Sequence, residues 1–415
     1  MQPIVLHVAA ELAPFHKSGG LGDVLGGLPP ALGRAGVDVR IVTGLYGEDT
    51  KLASIGGRDK LRRWPVALDV SIGGNPIEAT IWEARTHGGE ATTYFVEAPH
   101  LSRGKLYGYR DDAYRFAILS KAAIKIACVL QRARRIGAVA AIHAHDWHAA
   151  LALWYARFFP ETRDVPTVFT IHNLAYQGQV EASSSPYLDI GWDAYHSVFE
   201  HEGVCNLMKG ALVLAWRVTT VSPTYAREIQ TREHGMRLDG LLRWIDSKLV
   251  GLLNGIDEGA WDPAHDVALP ARFSIDDLEG KEACRQALRF ELGLYPEGDH
   301  VVPIVGAVSR LTHQKGIDQL CDVASMIARE GGQIIVLGTG ERSVEERLHG
   351  LAVTHPGAVV FRRAFDERLA HRIYAGSDLF AMPSRFEPCG LTQLYAMRYG
   401  ARDRERAVAH PIELR

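Results

Sequence analysis

Long apolar runs are missing from this chain. Nowhere in its 415 residues do eighteen apolar side chains follow one another, so no membrane-spanning helix is expected. The first residues, Met1-Gln-Pro-Ile-Val-Leu-His-Val-Ala-Ala, carry no basic region ahead of an apolar run, and no secretory or transit leader is read there. Cysteine is scarce: Cys128, Cys205, Cys284, Cys321 and Cys389 lie far apart, odd in number and without a CxxC pair. That usage fits a reducing compartment better than a secreted one and offers no readable zinc site, so neither metal nor cofactor is expected. An excess of one charge is also lacking, because 46 Lys and Arg oppose 49 Asp and Glu for a formal net charge of −3. No global field draws the chain to nucleic acid or to an anionic membrane, and any anionic ligand must be met locally. Fixed-period repeats and low-complexity tracts are absent too. The expectation is a soluble, cytoplasmic protein.

What the sequence does have is ordinary globular composition, 47% hydrophobic and 23% charged, enough for a full core. At about 150 residues per domain the length predicts two large lobes. Short β-rich runs alternate with segments of helical period, the pattern of parallel sheets covered by helices on both faces. Candidate strands are Ile4 to Val8, Val37 to Thr43, Ala138 to His143, Thr167 to Ile171, Val218 to Val221 and Leu249 to Leu253. Between the second and third, Val66 to Ile72, Ile77 to Ala84 and Thr92 to Val96 read as an antiparallel side sheet, split by Gly73-Gly74-Asn75-Pro76 and Gly88-Gly89. After Asn254-Gly255-Ile256-Asp257, strand-like runs cease until Val301, which reads as a linker. The pattern then restarts with four strands, Val301 to Val308, Gln333 to Leu337, Ala358 to Phe361 and Asp378 to Met382. The fold class is α/β, with domains expected over residues 1–257 and 301–415 and a linker region over 258–300.

In open α/β sheets the ligand lies beyond the carboxyl ends of the strands, so the residues after each strand carry the chemistry. The first strand leads to Lys17-Ser18-Gly19-Gly20-Leu21-Gly22-Asp23 and a helix expected from about Val24. Glycines admit backbone N–H groups close to an anion, a helix N-terminus adds partial positive charge, and Lys17 adds a full one. The segment fails GxGxxG by one residue and is no P-loop, since no GK[ST] follows. A plain tight turn remains the alternative.

The third main strand ends in His143-Ala-His145-Asp146-Trp147-His148 and the fourth in His172-Asn173-Leu174-Ala175-Tyr176-Gln177-Gly178. Carboxylate, amide, imidazole and aromatic groups together suit a hydroxyl-rich ligand. A metal at the three histidines competes, but no HExxH helix or matching Cys or His pair accompanies them; helix-capping histidines are the plain alternative. In the second half, Ser309-Arg310-Leu311-Thr312-His313-Gln314-Lys315-Gly316 opens a helix, where Arg310 and Lys315 can both reach one diphosphate unless they are surface salt-bridge partners. Pro383-Ser384-Arg385-Phe386-Glu387-Pro388-Cys389-Gly390-Leu391 sets a carboxylate beside backbone donors. Cys389 reads as packing more readily than as a nucleophile. Phe365 is either a base-stacking or a core aromatic.

Together these segments resemble the bacterial glycogen synthases and plant starch synthases, retaining GT-B glycosyltransferases that use ADP-glucose. The likeness rests on Lys17 to Asp23, His143 to His148, Ile171 to Gly178, Thr220 to Glu228, Leu253 to Asp257, Ser309 to Gly316 and Ser384 to Gln393, in family order over residues 3 to 400. The resemblance implies two Rossmann-like, doubly wound domains facing a cleft, an acceptor-side starch synthase catalytic domain first and a nucleotide-sugar-binding domain second. It implies glucose transfer from ADP-glucose to the non-reducing 4-hydroxyl of an α-1,4-glucan such as glycogen, with retention and without a metal. Lys17, Gly19 and Gly20 would meet phosphates and glucose, His172 and Asn173 the transferring glucose, and Asp146 the sugar or acceptor. Arg310 and Lys315 would neutralise the diphosphate. Glu387 would hold glucose hydroxyls, the Cys389, Gly390 and Leu391 backbone would lie near phosphate, and Phe365 beside adenine. A sucrose- or trehalose-forming relative is disfavoured by Lys17-Ser-Gly-Gly and Glu387-Pro-Cys-Gly.

After Gly400 the resemblance stops. Ala401-Arg-Asp-Arg-Glu-Arg-Ala-Val-Ala-His-Pro-Ile-Glu-Leu-Arg415 is charged and reads without a strand, so an incomplete second domain with an uncovered parallel edge is expected. The alternative function is accordingly a truncated, inactive or weakly active protein that retains partial nucleotide-sugar binding.

Overall fold

The computed structural model of the chain describes residues 3–47, 50–295 and 302–405. The chain divides into two units, Met1–Gly255 and Ile256–Arg415. The first is built on strands β1 (Ile4–Val8), β2 (Asp38–Gly44), β3 (Arg62–Arg63), β4 (Leu68–Asp69), β5 (Glu78–Thr86), β6 (Ala91–Glu97), β7 (Val139–His145), β8 (Thr167–Ile171), β9 (Gln179–Glu181), β10 (Glu200–His201), β11 (Val204–Asn206), β12 (Arg217–Thr220) and β13 (Leu249–Gly251). Ten of these form one sheet in the order β13-β12-β8-β7-β1-β2-β6-β5-β3, with β4 also on β5. From β13 to β6 all pairs are parallel; β5 then turns back antiparallel on β6.

Helices Gly20–Arg34 and Asp112–Arg132 link successive strands of this sheet. The central strands read as near-continuous apolar runs because both of their faces are covered, and Ile4, Leu6, Val8, Ile142, Ala144, Phe169 and Ile171 are all closed to solvent. Chain direction reverses at β1. The chain first moves outward to β2 and later returns to place β7 on the other side of β1. A doubly wound sheet binds ligands at such a reversal, because the loops leaving the two strands part there.

Four expectations are corrected in this unit. The supposed side sheet is a continuation of the main sheet: β6 pairs β2 in parallel, and only β5, β3 and β4 are antiparallel. Glycine-rich turns mark a hairpin in sequence but do not reveal which outer strand the hairpin joins. Strand β7 runs on to His145, two residues past the expected end, because His143, Ala144 and His145 continue the parallel ladder with Val168, Phe169 and Thr170 of β8. The first helix begins at Gly20 rather than Val24, so Gly20 and Gly22 lie inside it and Gly19 is its N-cap. A small sheet of β10, β11 and β9 went unread, since strands of two or three residues carry no periodicity.

The second unit holds β14 (Ile304–Val308), β15 (Gln333–Leu337), β16 (Val359–Arg362), β17 (Leu379–Met382) and β18 (Arg402–Glu405), ordered β16-β15-β14-β17-β18 and parallel throughout. Helices Ile317–Arg329, Arg342–Thr354, Glu367–Gly376 and Leu391–Arg398 intervene. Here too the order reverses, between β14 and β17. Val301, expected to start β14, lies outside the described residues.

Two more expectations change. The charged segment after Gly400 supplies β18, paired along Leu379 to Met382, so β17 is not the bare edge that was anticipated. Ladder bonds involve only the backbone, and charged residues are well suited to an edge strand; residues 406–415 lie outside the described set. The stretch expected as a linker, residues 258–300, carries helix Glu279–Leu292 and packs into the second unit's core, with residues 296–300 not described. Lys281 Nζ donates to the carbonyls of Ala375, Ser377 and Tyr399 at 2.8, 3.1 and 2.9 Å. Trp261 is stacked between His371 and Tyr395, with centroids 4.0 and 3.8 Å away, and Asp266 accepts hydrogen bonds from Tyr399 and His371.

Replacing Trp261 by Ala leaves two rings without their shared neighbour and opens a cavity. Urea unfolding of Trp261→Ala should show the second unit destabilised by about 3–5 kcal/mol; a loss below about 1 kcal/mol would mean that the segment is merely draped on the surface.

Candidate active site

In the first unit the site is assembled from the loops that leave β1, β7 and β8. Glu11, buried just past β1, is the hub. Its carboxylate accepts the backbone N–H of Ser18 at 2.6 Å and of Gly19 at 3.2 Å, the Ser18 hydroxyl at 2.9 Å and the Tyr107 hydroxyl at 2.8 Å. Burial raises its pKa, and these hydrogen bonds oppose the rise. The glycine loop is thus shaped by an internal carboxylate that occupies two of the donors a ligand anion would use. Lys17 reaches over the first turn of the helix to Asp23, 2.8 Å away. Gly22 is needed there because a β-carbon on it would lie 2.4 Å from Cβ of Lys17.

Asp146 ends β7 in a backbone conformation, φ 56° and ψ 178°, that is sparsely populated by anything but glycine. Its carboxylate accepts the backbone N–H of His172 at 2.8 Å and of Asn173 at 3.4 Å, and so clamps the start of the loop after β8. Burial pushes Asp146 up to about 7, with those two amides pulling the other way. Strain, burial and a raised pKa at one strand end make Asp146 a candidate functional position.

Imidazoles crowd the same place. The parallel register sets His7 of β1 opposite His143 of β7. The ring nitrogens of His7, His143 and His145 lie within 4.8 Å of one another, a donor set of the kind that can hold a transition metal. The sequence offered no partner for His143 and His145 because His7 sits 136 residues earlier; His148 instead stacks on Tyr107 at 4.8 Å. His143 Nε2 pairs with Thr170 Oγ1 at 2.6 Å. Burial lowers His7 to about 4 and His16, His148 and His172 to about 3, and takes His143 and His145 well below the usual value.

In the second unit the loops after β14 and β17 meet. Lys315 Nζ lies 2.6 Å from Glu387 Oε2, and Ser384 Oγ donates to the same oxygen at 3.0 Å. Arg385 grips Asp318 with two bonds, 2.9 and 2.7 Å, and donates to the His313 carbonyl at 2.7 Å. Gly316, at φ 64°, lets the loops touch; a β-carbon there would lie 2.0 Å from the Pro383 carbonyl oxygen.

Lys17, Gly19, Gly20, Asp146, His172 and Asn173 therefore gather at the β1/β7 reversal. Arg310, Lys315, Glu387, Cys389, Gly390 and Leu391 gather at the β14/β17 reversal, with Arg310 exposed and Cys389 half-buried. Phe365 follows β16 and is exposed. Glu11, Tyr107, His7 and Asp318 were missed. A buried Glu directly after a strand was the one available signal; the others depend on contacts distant in sequence.

The chain's N-terminal 4–244 match the family described as starch synthase catalytic domain, and 302–401 match glycosyl transferases group 1. A glycogen synthase of Anaeromyxobacter dehalogenans is 43% identical over 97% of this chain and 83% of its own length. The chain belongs to the glycogen and starch synthase family. A glycogen synthase of Myxococcus xanthus is 40% identical over 95% of this chain and 82% of its own. The catalytic domain of Arabidopsis thaliana starch synthase IV, solved with ADP and acarbose, superposes with TM-score 0.88 at 35% identity, covering 98% of this chain and 83% of that one. This synthase-family chain thus has the GT-B type of α/β fold. No helix among its described residues is long and apolar enough to cross a membrane.

The six buried imidazoles make a pH prediction. Each is held below its ordinary value near 6.5, so unfolding takes up protons and the stability tied to them is lost as pH falls from about 6.5 toward 3–4. Asp146 and Glu11 are raised and act with the opposite sign, but they number two against six. Denaturant unfolding between about pH 6.5 and pH 4.5 should show a steady loss of stability, about 1.4 kcal/mol per pH unit for each histidine in excess. Constant or rising stability would contradict neutral burial.

Proposed function

We propose that this chain transfers glucose from ADP-glucose to the non-reducing 4-hydroxyl of an α-1,4-glucan, keeping the α configuration, as a glycogen synthase. The observation that carries the site assignment is the pairing of Lys315 with Glu387. Seventy-two residues apart, they meet at 2.6 Å at the one point of the second sheet where loops part. Such a pair offers a cation for diphosphate oxygens and a carboxylate for sugar hydroxyls side by side. That the starch synthase neighbour holds ADP and acarbose supports a nucleotide and a glucan-like ligand here as well.

Breaking the anomeric bond leaves positive charge on the glucosyl carbon and negative charge on the departing diphosphate. Lys315 and Arg310 neutralise the diphosphate, and Lys17 adds a third cation. Glu387 orients hydroxyls, the Cys389 to Leu391 backbone lies by phosphate, and Phe365 lies by adenine. His172 and Asn173 meet the transferring glucose, clamped by Asp146. Gly19 and Gly20 give a close backbone approach. The domain roles follow: acceptor-side chemistry in residues 1–257 and nucleotide-sugar binding in residues 301–415. None of the five cysteines is in a disulfide, which suits a cytoplasmic location.

Incorporation of labelled glucose from ADP-glucose into glycogen tests the function. If Lys315 stabilises the transition state by about 3 kcal/mol, Lys315→Ala slows turnover roughly a hundredfold. Turnover within a few-fold of the unmodified chain would remove the diphosphate assignment.

A further inference from the structure

Three histidines from three strands form a continuous hydrogen-bonded chain. His7 Nδ1 lies 3.0 Å from His145 Nε2, and His145 Nδ1 lies 3.0 Å from His172 Nε2. His7 and His145 are closed to solvent and His172 is nearly so. Burial disfavours the charged form of all three, so each ring carries one proton. Two hydrogen bonds among three singly protonated rings allow only two arrangements, with every proton pointing one way or every proton pointing the other.

The end of the chain chooses between them. His7 Nε2 is buried and has no hydrogen-bond partner among the described residues. If the protons pointed from His172 toward His7, this atom would be an N–H with nowhere to donate, the rarer and costlier kind of orphan. Pointing the other way, it is a bare lone pair, His7 Nδ1–H donates to His145, and His145 Nδ1–H donates to His172 Nε2. The last proton then sits on His172 Nδ1. The Asp146 carboxylate independently holds the backbone N–H of His172 at 2.8 Å, so the position of the ring is set from one side and its protonation from the other.

We propose that His7 and His145 are positioning residues that lock His172 in its Nδ1-protonated, neutral tautomer, so that it presents one N–H donor to the glucosyl substrate. The inference rests on the reading of His172 as a sugar-contacting group. It assigns a reason for polar residues in the interior strands β1 and β7, where the sheet otherwise takes apolar side chains. A neutral donor stabilises a hydroxyl oxygen without adding positive charge beside a glucosyl carbon that is itself becoming positive.

Nitrogen NMR of the full chain with labelled histidine reads the tautomer directly, the His172 signals being assigned by their loss in His172→Gln. The expected result is a protonated Nδ1 and a bare Nε2 on His172. In His7→Phe the lock is removed: the Nε2-protonated form should appear, and kcat should fall roughly ten- to a hundredfold while KM for ADP-glucose changes less than about twofold. His7→Asn, whose amide can donate from near the same place, should restore most of the lost turnover. An Nε2-protonated His172 in the unmodified chain overturns the proposal, as does unchanged kcat in a folded His7→Phe. A stoichiometric first-row metal in the purified protein, detected by elemental mass spectrometry, overturns it as well, since His7 and His145 would then be ligands. Should the unmodified chain fail to transfer glucose from ADP-glucose, the functional reading falls, while the NMR result still decides the tautomer.

Discussion

Parallel pairing of β1 with β2 on one side and with β7 on the other is the constraint from which the first unit's site follows. It brings the carboxyl ends of strands that are more than a hundred residues apart in sequence to one edge, and it parts their loops where the order reverses. The register then decides which side chains meet. His7 faces His143 because Val8 pairs with Ala144, and a slip of one strand by one residue would put the two imidazoles on opposite faces of the sheet. The second unit repeats the device with β14 and β17.

Polar groups in this site are buried; its carboxylates are fully answered, while His7, His16 and His148 each keep one buried ring nitrogen without a partner among the described residues. The four hydrogen bonds to Glu11, the two amides on Asp146 and the imidazole chain offset desolvation that would otherwise amount to several kcal/mol per group. The same arrangement explains why the glycine loop is not an open anion cradle. The Ser18 and Gly19 amides are already engaged by Glu11 and the Lys17 ammonium by Asp23, so a ligand would have to compete for them and would otherwise meet the helix N-terminus at Gly20. Desolvation also disfavours the charged form of the histidines and raises Asp146 to about 7.

The second site works differently. Lys315 and Glu387 are partly exposed and satisfy each other at 2.6 Å. The pair is largely shielded from solvent, so each group compensates a charge that would be costly to leave unpaired there. Arg385, fastened to Asp318 and to the His313 carbonyl, ties the two loops to each other.

The sequence by itself determined the α/β class, most strands of both sheets, the family, and the loops that carry the candidate site. It could do so because β-branched runs, helical period and the glycine and lysine motifs are local signals, each readable within about ten residues. Strand Gln333–Leu337 has the expected bounds for that reason. Pairing partners were decided only by the tertiary structure. Nothing near Ala91 says that β6 lies beside β2, nothing near Arg402 says that a charged segment closes the edge at β17, and nothing near Trp261 says that it is stacked between His371 and Tyr395. The assembly of Glu11 with Tyr107, of His7 with His145 and of Lys315 with Glu387 is of the same kind. Hydrogen bonds and burial are properties of neighbours in space, and those neighbours are 72 to 138 residues apart along the chain.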